Sequence, residues 1–348
     1  MPELQRIPHP APIRDRKKIF PVFLPYAGCP TRCAYCAQPL ATGRAAGRDL
    51  LPAALESLRR DLEQAAAQGR SFELGFFGGT FTALPGDWAE RFLRLAAAFR
   101  SPGPVTGVRC STRPDAAAPG LLGRLRDLGL DLVELGVQSF DPTCLAESNR
   151  GYGPDAALAA CAAVRDAGLG LGVQLLPGLP GMAPDPDGPF LRDVALALDQ
   201  APACLRLYPC VVLPGTELAR RWAAGDYVPW TLAQAADQLG RALLACWQAG
   251  VPVIRMGLAP QDGLAGSILA GPWHPALGQM ARSRALLAHI AGFLAERGLR
   301  PGRLLVPGRD LSDILGHGRE MASAWAGLGL AEDRIGVWED AGFGVEPC

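Results

Sequence analysis

Lysine is nearly missing from this 348-residue chain, where Lys17 and Lys18 are the only two. That excludes Schiff-base lysine chemistry and a Walker-type phosphate loop, whose lysine must sit deep in the fold. Long hydrophobic runs are missing too. The richest region, Ala156 to Leu179, is cut by Arg165, Asp166 and Pro177, so no segment is apolar enough to span a bilayer. Met1 to Lys18 is polar and proline-containing and lacks the apolar core of an export signal. Net charge is absent as well, 34 basic side chains balancing 34 acidic ones, so no global field draws in nucleic acid. Locally, Arg14, Arg16, Lys17 and Lys18 surround Asp15, a segment that reads equally as a solvated tail or a phosphate-binding arm. A cytoplasmic protein without a membrane partner is expected.

What is present is apolar: 49% of residues, enough for one large core or one core with a small appended domain. Ten cysteines without an export signal read as reduced thiols, so a cluster of them reads as a ligand set. Only one cluster exists, near the N-terminus.

Extended apolar runs alternate with helical patterns. Strands are predicted at 19–26, 72–77, 105–111, 132–137, 171–176 and 205–212. Helices are predicted near 51–67, 88–99, 120–128, 155–167, 191–199 and 232–249. That rhythm signals repeated βαβ units and a parallel sheet. Six units, with Val253–Met256 as a candidate closing strand, predict a partial or full α/β barrel whose chemistry gathers after the strands' C-terminal ends. Beyond a glycine- and proline-rich stretch at 258–275, a helix to about 297, short strands at 304–307 and 335–338 and a further helix predict a small α/β appendage. The expected division is an N-terminal arm, 1–18, a barrel, 19–258, and a C-terminal α/β domain, 259–348.

Gly28-Cys29-Pro30-Thr31-Arg32-Cys33-Ala34-Tyr35-Cys36 separates its three thiols by three and then two residues. A short wrapped loop of this kind can supply three corners of a cubane iron–sulfur cluster. Zinc would want a fourth ligand nearby, and no His or Cys follows before Cys110. A redox dithiol would leave Cys29 unexplained; structural cysteines are the bland alternative. Three ligands leave one iron open to a small molecule. The loop, with aromatic Tyr35 before its last cysteine, resembles the signature of the radical S-adenosylmethionine superfamily. The resemblance implies a [4Fe–4S] cluster on Cys29, Cys33 and Cys36, with S-adenosylmethionine chelated at the open iron. It also implies an electron donor such as flavodoxin or ferredoxin, and a sulfonium split to a 5′-deoxyadenosyl radical. The cofactor carries the hard chemistry, while the protein orients and shields it.

The other motifs fall at strand ends. Phe77-Gly78-Gly79-Thr80-Phe81 allows close backbone approach, or merely a tight turn. It resembles the superfamily's glycine motif, which implies Gly78, Gly79 and Thr80 beside the methionine amino group. Cys110-Ser111-Thr112-Arg113-Pro114-Asp115 resembles the Glu-Thr-Arg-Pro-Asp motif of the Elongator catalytic-subunit family, which modifies uridine in tRNA; Ser111 replaces the expected Glu. Glu134-Leu135-Gly136-Val137-Gln138-Ser139 resembles both that family and the oxygen-independent coproporphyrinogen oxidases. There a Gln and, twelve residues on, an Arg contact S-adenosylmethionine, and Gln138 and Arg150 keep that spacing. Gln174-Leu175-Leu176-Pro177-Gly178-Leu179-Pro180-Gly181 resembles the Elongator Pro-Gly-Leu-Pro-Gly turn, Gln174 standing where the oxidases carry Asp. Leu205-Arg206-Leu207-Tyr208-Pro209, with Pro214-Gly215-Thr216, is similar to the same family. The resemblance therefore implies cofactor contacts at Tyr35, Gly78, Gly79, Thr80, Ser111, Gln138, Arg150 and Gln174.

Gly168-Leu169-Gly170-Leu171-Gly172 looks dinucleotide-like but precedes a strand instead of joining strand to helix. Cys204 and Cys210 read as core thiols on one strand face. Gly271-Pro272-Trp273-His274-Pro275 and Arg309-Asp310-Leu311-Ser312-Asp313 read as substrate or partner contacts, or as structure. Residues 259–348 show no acetyl-CoA loop, so carboxymethylation of uridine by this chain alone is not expected. Three readings stand: a radical enzyme on tRNA, a radical enzyme on a tetrapyrrole or other small metabolite, and a non-catalytic haem chaperone.

Overall fold

The computed structural model describes residues 4–12, 18–38, 40, 50–258 and 264–348. After a short strand, β1 (Gln5–Ile7), seven strands form one parallel sheet: β2 (Ile19–Phe23), β3 (Phe72–Phe77), β4 (Val105–Thr112), β5 (Leu132–Gln138), β6 (Gly170–Leu175), β7 (Cys204–Leu207) and β8 (Val253–Met256). Their order in space is their order in sequence. The strands alternate as a pleat requires. One face turns Leu74, Phe76, Val108, Val133, Leu135, Val173 and Leu205 into the core with Leu58, Leu62, Phe92, Leu122 and Val164 of the crossing helices. The other face lines the hollow of the sheet and carries glycine and polar side chains.

The crossing helices begin where proline pre-sets the first turn: Pro119, Pro142, Pro154 and Pro189 each open one. Thr231 and Gln234 close a capping box on the helix Leu232–Gln248, satisfying donors that the first turn leaves free.

Seven strands are present where six with a candidate closing strand were expected. The seventh, β8, joins the far edge and does not pair with β2, so the sheet is a curled half-barrel, open between its edges. The strand expected over 205–212 stops at Leu207; Pro209 has no N–H to donate, and Cys210 N–H turns to the Pro177 carbonyl at 2.8 Å. Cys204 thus lies in β7 and Cys210 beyond it, both buried. Gly170–Gly172 opens β6, as expected of a motif that precedes a strand.

The helix Leu277–Arg297 lies along Leu232–Gln248. Gly240 permits the approach, since a Cβ there would stand 2.7 Å from the Arg284 Cβ. Beyond it a four-stranded sheet runs β1–β11–β9–β10, with β9 (Pro301–Pro307), β10 (Ile335–Trp338) and β11 (Phe343–Pro347). The segment expected to be an arm therefore contributes an edge strand, β1, antiparallel to β11. Arg14, Arg16 and Lys17 lie outside the described residues; the Lys18 carbonyl accepts from Glu73 N–H at 2.8 Å as the chain enters β2. Among the described residues no helix is long and apolar enough to cross a membrane.

Candidate functional site

The hollow of the half-barrel encloses a cavity of about 580 Å³. Cys29, Cys33, Cys36 and all eight expected cofactor contacts line it.

The cysteine loop is held by backbone. Leu24 N–H donates to Phe77 O at 2.7 Å, Tyr26 N–H to Gly78 O at 2.9 Å, and Thr80 N–H to Ala27 O at 2.8 Å. Two glycines make this contact possible: a Cβ on Gly28 would run into the Thr80 carbonyl, and one on Gly79 into the Ala27 carbonyl. Gly28 also has φ +73°, a conformation costly for other residues. On the far side Ala34 is clamped between Ser148 O (3.0 Å) and Leu218 N (2.8 Å). The Tyr26 hydroxyl donates to Cys36 O and accepts from Gln38 N–H, both at 3.0 Å. The Gly78–Thr80 turn thus grips the cysteine loop as well as facing the cavity, and the Thr80 hydroxyl lies 3.3 Å from Cys29 Sγ.

As they stand, no three His, Cys, Asp or Glu side chains among the described residues are arranged to hold a metal ion. A cubane asks for something different, one thiolate on each of three separate irons. Burial, then the neighbouring Cys33 and Cys29, push the Cys36 thiol up to about 12. Cationic metal offsets that cost, because a coordinating thiol is deprotonated outright. The donor set fits an iron–sulfur cluster, and burial disfavours a free thiolate at Cys36.

Above the thiols sits a buried cationic pair. Arg150 donates to Cys33 Sγ at 2.9 Å, to the Tyr35 hydroxyl at 3.2 Å, to Gly136 O at 2.5 Å and to the Tyr152 hydroxyl at 2.6 Å. Arg113 forks onto Asp115 at 2.9 and 2.7 Å and donates to Arg150 O at 2.5 Å. Both guanidiniums lie over the Tyr152 ring, 5.4 and 5.1 Å from its centroid. Gln138 ends β5 at φ +69°, an uncommon conformation for a non-glycine residue; it turns the strand end toward the cavity.

Ser111 and Gln174 belong to a second network on the inner face. Gln174 Nε2 donates to Ser111 Oγ at 3.0 Å and to Glu134 Oε2 at 3.1 Å. Glu134, 1% exposed, also accepts from Arg109 and Arg206, each at 3.0 Å. Arg109 reaches Glu73 at 2.6 Å, and Arg206 reaches the Tyr208 hydroxyl at 2.9 Å. Gly172 leaves room, for a Cβ there would meet Glu134 Cγ at 2.9 Å. Sequence reading missed Glu73, Arg109, Glu134, Arg206 and Tyr152 as site residues. The available signal was a polar residue inside an otherwise apolar strand: Arg109 and Ser111 in β4, Glu134 in β5, Arg206 in β7.

The two C-terminal candidates do not line the cavity with their polar groups. His274 accepts from Ala276 N–H at 3.0 Å and meets the His317 ring edge-on at 4.8 Å. Arg309 donates to Ala341 O, and Asp313 accepts from Arg282 at 2.6 Å. The Arg309–Asp313 segment serves the appendage, whereas Trp273 packs against Val211 and Leu213, which line the cavity.

A curled parallel sheet with a three-cysteine loop after its first strand defines the radical S-adenosylmethionine class. The chain belongs to that superfamily, the class of enzyme to which the sequence pointed. The radical SAM superfamily model matches residues 23–189 and the radical SAM C-terminal domain model residues 202–287. Among curated proteins, the tRNA uridine(34) acetyltransferase of Methanocaldococcus jannaschii is 27% identical over 198 residues, 52% of this chain and 37% of that protein. The heme chaperone HemW of Mycobacterium tuberculosis is 30% identical over 213 residues, 60% of this chain and 53% of that protein. The matched regions thus span about half or less of these relatives. The solved structure of the archaeal Methanocaldococcus infernus Elp3 with an N-terminal deletion superposes with a TM-score of 0.58 at 22% identity, covering 82% of this chain and 64% of that one, and it supports the fold.

Proposed function

We propose that this chain cleaves S-adenosylmethionine reductively at a [4Fe–4S] cluster held by Cys29, Cys33 and Cys36, and that its substrate is tRNA. The observation that carries the first part is the convergence of the three thiols, the Gly78–Thr80 turn, Gln138 and Arg150 on one cavity. When bound, the cluster supplies an electron and an open iron, and S-adenosylmethionine the radical. The chain's own residues do the rest. Arg150 stabilises thiolate charge at Cys33 through a charge-assisted hydrogen bond. Gly79 lets the turn approach the cofactor, Gln138 presents its amide from the β5 end, and Ser111 and Gln174 offer hydroxyl and amide where related families use carboxylates. The tRNA substrate is supported by the names of the matched relatives, uridine-modifying acetyltransferases and Elongator complex protein 3.

Anaerobic reconstitution should give a brown protein with about four irons, and replacing all three cysteines by Ala should abolish the colour; retained iron would overturn the ligand assignment. Arg150→Ala and Gln138→Ala should keep iron yet weaken cofactor binding, each losing hydrogen bonds worth on the order of 1–3 kcal/mol. Formation of 5′-deoxyadenosine should rise when tRNA is added. The match to a heme chaperone favours a second reading, tetrapyrrole binding in the same cavity. Haem binding without tRNA-dependent turnover would put that reading first.

A further inference from the structure

Among the described residues, the inner face of the sheet carries Arg109, Arg206 and Arg255 against two carboxylates, Glu73 and Glu134. Glu73 and Glu134 take up Arg109 and Arg206. Arg255, in β8, pairs with Arg206 where the register shifts between Leu205 and Arg206; it is exposed and lines the same cavity as Arg206. Among the described residues it has no hydrogen-bond or ion-pair partner. Both arginines sit one residue before the C-terminal end of their strands, at the depth where half-barrel chemistry takes place.

Across the opening, the other edge strand offers the opposite character. Ile19, Pro21 and Phe23 of β2 turn into the cavity at every second position, and Ile19 is 38% exposed with nothing over it. Phe23 lies beside Phe77, ring centroids 6.2 Å apart, and Arg206 lies 5.1 Å from the centroid of Phe77. One lip of the opening is apolar and aromatic, and the other is cationic.

We propose that Arg255, flanked by Arg206, is the anion-binding subsite for the substrate. It takes a phosphate or carboxylate on a molecule whose flat apolar body rests against Ile19, Pro21 and Phe23. A guanidinium fork matches both oxyanions, and a partner-free one loses no existing ion pair on binding. The placement of this subsite opposite the cysteine loop deepens the radical reading and rests on it for the chemistry, while the binding itself does not.

Two ligand pairs test it on the cluster-loaded protein: uridine 5′-monophosphate against uridine, and mesoporphyrin IX against its dimethyl ester. In one pair the anionic member should bind about tenfold to a hundredfold more tightly than its neutral counterpart, the effect of one charge-assisted contact. Arg255→Gln should erase that preference, and Arg255→Lys should keep part of it, since charge survives without the fork. The pair that shows the preference names the source, nucleotide phosphate or tetrapyrrole carboxylate. No preference in either pair, or a preference that survives Arg255→Gln, overturns the subsite. Iron content and 5′-deoxyadenosine formation on the same samples report separately. An anion preference without cleavage condemns the radical reading alone, and cleavage without the preference condemns the subsite alone.

Discussion

The two walls of the cavity are built by different means. The cysteine wall is assembled from backbone: loop carbonyls and amides of Leu24–Ala34 against those of Phe77–Thr80, Ser148 and Leu218. The opposite wall is assembled from side chains, with Glu134 at the centre and Arg109, Arg206, Gln174 and Ser111 around it, one or two per strand from β4 to β7. A backbone-built wall needs glycine at the contacts and tolerates change elsewhere. A side-chain wall tolerates loops of many kinds but fails when its central charge is removed.

The largest effect should come from the side-chain wall. Glu134→Ala leaves the buried Arg206 facing the Tyr208 hydroxyl and the half-buried Arg109 facing the buried Glu73. Breaking a buried ion pair from one side costs about 3–5 kcal/mol, which a urea midpoint will read directly. A variant as stable as the parent would show that the network is solvated. The backbone wall should fail differently. Gly79→Ala forces its methyl into the Ala27 carbonyl, an overpacking cost of about 1–3 kcal/mol. Its main consequence is displacement of the cysteine loop, so iron uptake should collapse while most of the fold persists. If Gly79→Ala loads iron normally, the two walls are less distinct than the geometry says.

The same difference decided what could be read from the sequence. A backbone wall leaves its parts contiguous: Cys29 to Cys36 and Phe77 to Phe81 are short strings in which cysteine spacing and paired glycines stand out. The βα rhythm was legible for the same reason, since each strand is one apolar run. The polar network leaves a single letter per strand, and the partners of Glu134 lie 25 and 72 residues away. No local pattern joins Arg109 to Arg206 before the sheet brings them together. The strand end at Leu207, the pairing of Gln5–Ile7 with β11 and the failure of β8 to meet β2 are likewise matters of tertiary register, which composition does not encode. Arg150 was legible through its distance from Gln138, but its direction was not; its guanidinium faces Cys33 and the Gly136 carbonyl.

Tyr152 joins the two kinds of construction, and removing its hydroxyl should have the smallest of these effects. Its oxygen accepts from Arg150 at 3.0 Å (Nε) and 2.6 Å (Nη2), and its proton reaches Gly136 O at 2.9 Å or Val137 O at 3.1 Å. Phenylalanine in its place keeps the ring beneath Arg113 and Arg150, so the cation–π contacts persist. It strands the Arg150 Nε–H and one Nη2–H, while Gly136 O still accepts from the other Nη2 hydrogen. The loss should be about 1 kcal/mol of stability, with iron content unchanged because Cys33 keeps its own contact. A guanidinium held at fewer points places its charge less well, so cofactor affinity should fall about fivefold, the equivalent of that same energy. Isothermal titration of the cluster-loaded Tyr152→Phe protein with S-adenosylmethionine reads this directly. Parental affinity and parental stability together would mean that Arg150 is positioned by the Gly136 carbonyl and the cysteine loop alone, and that the backbone wall orients the cation without help from a side chain.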